Sequence, residues 1–189
     1  MHVDLLHQGD SLATSFQYTL PSEYGWVLII ATVLAVELLF IGFAAGGKRT
    51  EFFSEDFMKE NFGEEHRKAT ETDITKGGYP DSGNGRYSQK LPYKQWYQFN
   101  SAQRAHYNFL EWAPANFVLL LISGLYFPIP AAVLGLVVAI GRLMYAIGYI
   151  TGGPKGRLVG AIVNDLATLG HIGLSFASAI MFALGKKAL

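Results

Sequence analysis

The sequence contains no cysteine. That absence excludes disulfides, thiolate metal ligands and a protein-borne thiol nucleophile, while leaving the redox compartment open. Charge is scarce too: Asp, Glu, Lys and Arg make up 16% of the 189 residues, and 15 basic side chains balance 15 acidic ones. No basic surface advertises a nucleic-acid partner. Residues 1–23 hold no Lys or Arg, so the positive n-region of a cleavable signal peptide is missing. The five histidines lack ligand spacing and "EEHRK" is not a zinc helix, so no metal site is argued.

What is present is apolar. Half of the residues are hydrophobic and mean hydropathy is positive, at +0.22. Both point to an integral membrane protein. Four apolar segments are expected as helices at about residues 24–45, 100–126, 131–150 and 157–184, long enough to cross a hydrocarbon core of about 30 Å. The breaker clusters "FPIP" and "TGGPKG" separate the last three. The fourth is rich in Gly, Ala and Ser, which lets membrane helices approach closely. The expectation is an all-α, four-helix membrane bundle forming one domain over residues 1–189.

Between the first two helices lies the one sizeable polar block, residues 46–99, expected as a long loop. Phe52, Phe53, Phe57 and Phe62 in its first half have the spacing of an interfacial amphipathic helix. Its second half is turn-rich, and its glycines fit no dinucleotide or phosphate-loop pattern. Lys and Arg crowd this block, and Lys155 and Arg157 mark the third connection, so the positive-inside rule puts both on the cytosolic side. The tail "KKAL" resembles a retrieval signal of the endoplasmic reticulum and would demand the opposite end placement; the loop bias is the stronger guide.

Two stripes of polar residues remain to be explained. Arg104, Asn108 and Glu111 stand at i, i+4 and i+7 and share a helix face; Arg142, Tyr145 and Tyr149 stand at i, i+3 and i+7 and share another. Charges inside a membrane segment are costly unless they face something polar. One account is structural, with Arg104, Glu111 and Arg142 simply tying the bundle together. The other is a site for a small zwitterion, with Glu111 accepting an ammonium and Arg104 forking onto a carboxylate beside Asn108. Spacing alone does not separate the two.

The motifs "FNSAQRAHYNFLEWAP" and "GRLMYAIGYITGGPKGR" together resemble the MAPEG family, the membrane-associated proteins of eicosanoid and glutathione metabolism, and in wording its type-3 microsomal glutathione transferase branch. The resemblance implies a four-helix subunit assembling as a homotrimer, with glutathione as co-substrate bound between subunits near the cytosolic side. It carries Arg104, Asn108 and Glu111 over as glutathione contacts on the second helix, and Tyr145 and Tyr149 as contacts on the third. His106 matches the type-3 branch. Trp112 stands where the family often has Tyr. In "GGKRT", Lys48 and Arg49 match a basic pair, with Arg49 the nearer candidate contact. Arg157 matches the arginine assigned to stabilise the thiolate, although a positive anchor at a helix start reads almost as well. The second substrate would be a lipophilic electrophile or a lipid hydroperoxide arriving from the bilayer. The membrane would be that of the endoplasmic reticulum or the outer mitochondrial membrane.

Of the remaining polar residues, Glu37, Asp165 and His171 lie within expected helices. Asp165 and His171 are six residues apart and do not share a face, so interhelical hydrogen bonding is favoured over an ion path. Pro114 removes a hydrogen bond and is expected to bend the second helix just past Glu111. Against the enzyme stands a second reading, a non-catalytic lipid-binding or structural subunit of a larger membrane complex that docks through the polar block. A transporter would rest on scattered acids without recognisable repeats.

Overall fold

The computed structural model describes residues 19–78 and 81–186. The N-terminal tail at 1–18 and all but Lys186 of the "KKAL" signal lie outside the described residues. Within them the chain is helical: α1 (Tyr24–Phe52), α2 (Glu55–Thr70), a short 3-10 turn (Ser88–Lys90), α3 (Tyr93–Tyr126), α4 (Pro128–Gly156) and α5 (Leu158–Ala183). Four of these, α1, α3, α4 and α5, are long and apolar enough to span a membrane.

The spanning helices pack through narrow seams. From α1 come Val27, Leu34 and Ile41, seven residues apart, while Trp26, Val33, Phe40 and Phe43 point outward. Outward-facing apolar side chains are what lipid or a partner subunit accepts and water does not. α3 is central, touching α1, α4 and α5. α4 and α5 come together through glycine: a side chain at Gly160 would run into the Tyr145 backbone, and one at Gly141 into that of Asn164. Gly at such points permits close backbone approach, the usual device of membrane helices.

Three boundaries differ from expectation. α1 continues through Gly46 and Gly47 to Phe52, and α3 begins at Tyr93 instead of near residue 100. α4 starts on Pro128, whose fixed φ suits a first turn, and breaks at Gly153 (φ 66, ψ −156), keeping one further turn before Arg157. The polar block is therefore a folded cap. Ser54 caps α2 by accepting from the Phe57 amide, Glu55 and Asp56 sit at its positive end, and Arg67 and Lys68 at its negative end. The phenylalanines are not spent on the membrane surface. Phe52, Phe53, Met58, Phe62, Ile74, Leu91 and Phe99 form a second core, with Phe57, Tyr87 and Trp96 against it. Burial among aromatics removes more apolar area from water than a half-immersed interfacial face would.

Candidate functional site

The cap, the start of α3 and the end of α4 meet at one end of the bundle. Tyr97 of α3 lays its hydroxyl on Gly153 of α4, where any side chain would collide. The left-handed φ of Gly153 and the missing side chain are both needed there.

Around this point the polar stripes form one connected array. Arg142, only 3% exposed, donates from Nη1 to Asn108 Oδ1 at 2.8 Å and lies over the rings of Phe109 (5.3 Å) and Tyr145 (6.0 Å). Arg157 donates from Nη1 to the Tyr145 hydroxyl at 2.9 Å and sits over the rings of both Tyr145 (5.7 Å) and Tyr149 (5.4 Å). The Tyr145 hydrogen bond holds its guanidinium in the charged form even more firmly than usual. Aromatic faces and a neutral hydroxyl leave that charge uncancelled, ready for an anion.

Arg104 and Glu111 behave otherwise. They face one another at 3.7 Å, a Coulombic contact longer than a hydrogen bond, and their side chains remain 50% and 57% exposed. Beside them a cavity of about 330 Å³ is lined by Tyr93, Trp96, Asn100, Arg104, Tyr149 and Pro154, among others. A second, of about 410 Å³, continues past Tyr97 and Ser101 to Thr151 and Gly153. A half-open trough thus runs along α3, with Arg104 in its lining, Glu111 one ion-pair contact beyond, and Tyr149, on which Arg157 stacks, at its side.

A scan against family models matches residues 27–177 to the MAPEG family. The chain belongs to the MAPEG family. Four spanning helices and this membership make it an integral membrane protein. Members of the MAPEG family include glutathione transferases and related enzymes, and they commonly use glutathione.

Within this MAPEG chain, Arg104, Asn108, Glu111, Tyr145, Tyr149 and Arg157 belong to the connected array or the trough beside it. Two candidates do not. His106 is turned toward α1, its Nε2 lying where a Cβ on Gly42 would come within 3.2 Å. Arg49 donates from Nη2 to the main-chain carbonyl of Asp81 at 3.4 Å, in the cap. His171 bonds Ser123 across α5 and α3, an interhelical bond of the expected kind, whereas Asp165 only accepts from its neighbour Asn164.

One residue of this end carries no expectation from the sequence. Asp81 is 5% exposed, and its carboxylate accepts the backbone N–H groups of Gly83, Gly85, Tyr87 and Ser88 at 2.8–3.1 Å. Burial works against its ionisation, but the amides of Ser88, Gly83 and Gly85 prevail, holding the carboxyl below the ordinary aspartate range. An Asp leading "SGNG" carries the turn signal that would have pointed to it. Glu37 of α1, its carboxylate buried without a hydrogen-bond partner, lies within the electrostatic reach of Arg142. The interhelical hydrogen bond expected of it is not formed.

Proposed function

We propose that this chain is a membrane-bound glutathione transferase and peroxidase of the type-3 microsomal branch, joining glutathione to lipophilic electrophiles or reducing lipid hydroperoxides. The observation that carries the reading is the trough itself: Arg104 and Glu111 half free in a membrane protein, next to an arginine stacked on two tyrosines. A scaffold has no use for an ion pair left so exposed and without a hydrogen bond, since charge at membrane depth is costly.

Glutathione brings two carboxylates, an ammonium and a thiol. Arg104, with Asn108 beside it, takes a carboxylate, and Glu111 takes the ammonium. Arg157, held by Tyr145 and Tyr149, faces the sulfur. A thiol with an ordinary pKa of about 8.5 is mostly protonated at neutral pH. Lowering it by about two units requires about 2.7 kcal/mol of preference for the thiolate, which one guanidinium away from bulk water can supply. The thiolate then adds to an electrophilic carbon to give a thioether. With a hydroperoxide, two glutathiones deliver two electrons to the O–O bond, leaving an alcohol, water and glutathione disulfide. A homotrimer suits this arrangement, because a neighbouring subunit would cover the Arg104–Glu111 face and close the trough. The cap end is assigned to the cytosol, in the endoplasmic reticulum or outer mitochondrial membrane.

The test is a glutathione difference spectrum at the thiolate absorbance on detergent-purified protein, with turnover of a lipophilic electrophile. Arg157→Ala is expected to abolish the thiolate band and cut turnover at neutral pH by about twenty-fivefold, the fall in thiolate fraction when a pKa near 6.5 returns to about 8.5. Arg104→Ala and Glu111→Ala should raise the glutathione KM about tenfold or more, the loss of a charge-assisted contact. A parent protein without a thiolate band and without turnover would turn the reading to a non-catalytic subunit.

A further inference from the structure

Tyr149 and Pro154 of α4 form one wall of the trough. On a helix advancing about 100° per residue, Trp96, Asn100 and Tyr107 fall within about 40° of each other along α3. Tyr97, Ser101 and Asn108 lie farther round, on the side that meets α4. Arg104 and Glu111 fall between the two sets. The trough therefore has α4 on one flank, and whatever covers Trp96, Asn100 and Tyr107 on the other.

The covering element is the segment 81–88 of the cap. Ser82 Oγ and the Tyr107 hydroxyl are 2.5 Å apart. The Gly83 carbonyl accepts from Trp96 Nε1 at 3.1 Å and from Asn100 Nδ2 at 2.9 Å. Gly83 takes a left-handed φ of +101°, and a Cβ there would lie 2.5 Å from the Asn100 amide oxygen, so the strap runs against α3 with no spare room. Its own shape is set by the Asp81 carboxylate, which gathers four backbone amides. Its first residue also receives Arg49 from the end of α1, one residue before the contact with Tyr107.

We propose that the segment 81–88, wound on the Asp81 carboxylate and pinned to α3 through Ser82–Tyr107 and Gly83–Asn100, backs the wall that Trp96 and Asn100 give the glutathione trough and so sets its affinity. Tyr107 and Asp81 are then positioning residues, and Arg49 acts through the strap and not on the ligand. The proposal rests on the glutathione reading of the trough. A wall fixed before the ligand arrives spares the cost of ordering it on binding; a loosened wall charges that cost to affinity and leaves the sulfur chemistry at Arg157 alone.

Ser82→Ala and Tyr107→Phe remove the same bond from opposite ends, Ser82 being a surface position whose change leaves both cores intact. In the full-length protein each is expected to raise the glutathione KM, and the equilibrium constant measured by calorimetry, about three- to tenfold, the worth of one hydrogen bond. The kcat should stay within about twofold and the thiolate band should persist, because neither change touches the Arg157 stack. The double variant should match the singles, the mark of a shared bond. Unchanged KM and affinity in Ser82→Ala, or a loss of kcat and thiolate band instead, overturns the strap as backing for that wall. A parent that binds no glutathione sinks the reading of the trough and this inference with it; a parent that binds, with variants binding equally well, sinks the strap alone.

Discussion

The two halves of α3 handle polar side chains in opposite ways. Toward its C-terminus, Ser123 donates to the Leu120 carbonyl and pairs with His171 Nδ1 at 2.9 Å, Ser178 donates to the Ser123 carbonyl, and Ser175 to that of Leu119. All four side chains are buried, and their bonds tie α3 to α5, with His171 Nε2 alone among their polar atoms left without a hydrogen-bond partner. Toward its N-terminus, Arg104 and Glu111 stand half exposed beside a cavity, and only the residues behind them, Asn108 and Arg142, are joined. The same helix thus holds one polar set that glues and one that waits. Exposure, more than polarity, separates a site from a joint.

The largest effect should come from the residue that backs the open half. Arg142 is 3% exposed, bonds Asn108, and lies within the field of Glu37 and Asp165. Arg142→Ala leaves the buried Glu37 carboxylate without its nearby cation and is expected to destabilise the protein by about 3 kcal/mol, the usual cost of removing one partner from buried charges. Thermal unfolding in detergent reads it. A midpoint matching the parent would mean that Arg142 is an idle charge and that the open half has no rigid backing.

A smaller effect belongs to the closed half. With its own proton on Leu120, the Ser123 oxygen accepts from Nδ1–H of His171, so Ser123→Ala leaves that donor without a partner. The expected cost is about 0.5–1.5 kcal/mol, the range for hydrogen bonds between membrane helices. Glutathione kinetics should not change. A raised glutathione KM in Ser123→Ala, at unaltered stability, would erase the division between the two halves.

That division was only half visible in the sequence. The four spans were, because runs of apolar residues of that length have few other homes. So was the shared face of Arg104, Asn108 and Glu111, which follows from helical periodicity alone. Periodicity does not say whether a face looks in or out. Arg142 shares its stripe with Tyr145 and Tyr149, yet it turned out to be buried behind the trough. The start of α3 was missed because Lys94, Gln95 and Gln98 read as loop. What makes it helical is tertiary: Trp96 and Phe99 pack against the cap, and Trp96 also bonds Gly83. The cap itself was read as a loop with a membrane-seeking helix, since nothing local reveals that Phe53 and Phe62 will meet Phe99 and Tyr87.

The smallest effect expected is one of pH, and it is read at the strap beside the open half. Asp81 is held below the ordinary aspartate range, burial pulling one way and the strap's amides pulling harder the other. A depressed carboxyl contributes stability that is complete above its unfolded pKa of about 3.9 and is lost as pH falls through the lower folded value. The strap should therefore be fully wound at neutral pH and begin to loosen only below about pH 4. Because the shift is the difference of two opposed effects, the stability released is modest. Trp96, whose indole donates to Gly83 inside the strap, is the local reporter. Its fluorescence should change in that acid range at temperatures where the far-ultraviolet helix signal is still intact. In Asp81→Asn the change should vanish, because no titrating carboxyl remains. Coincident loss of helix signal and Trp96 signal would show that the two halves of α3 come apart as one.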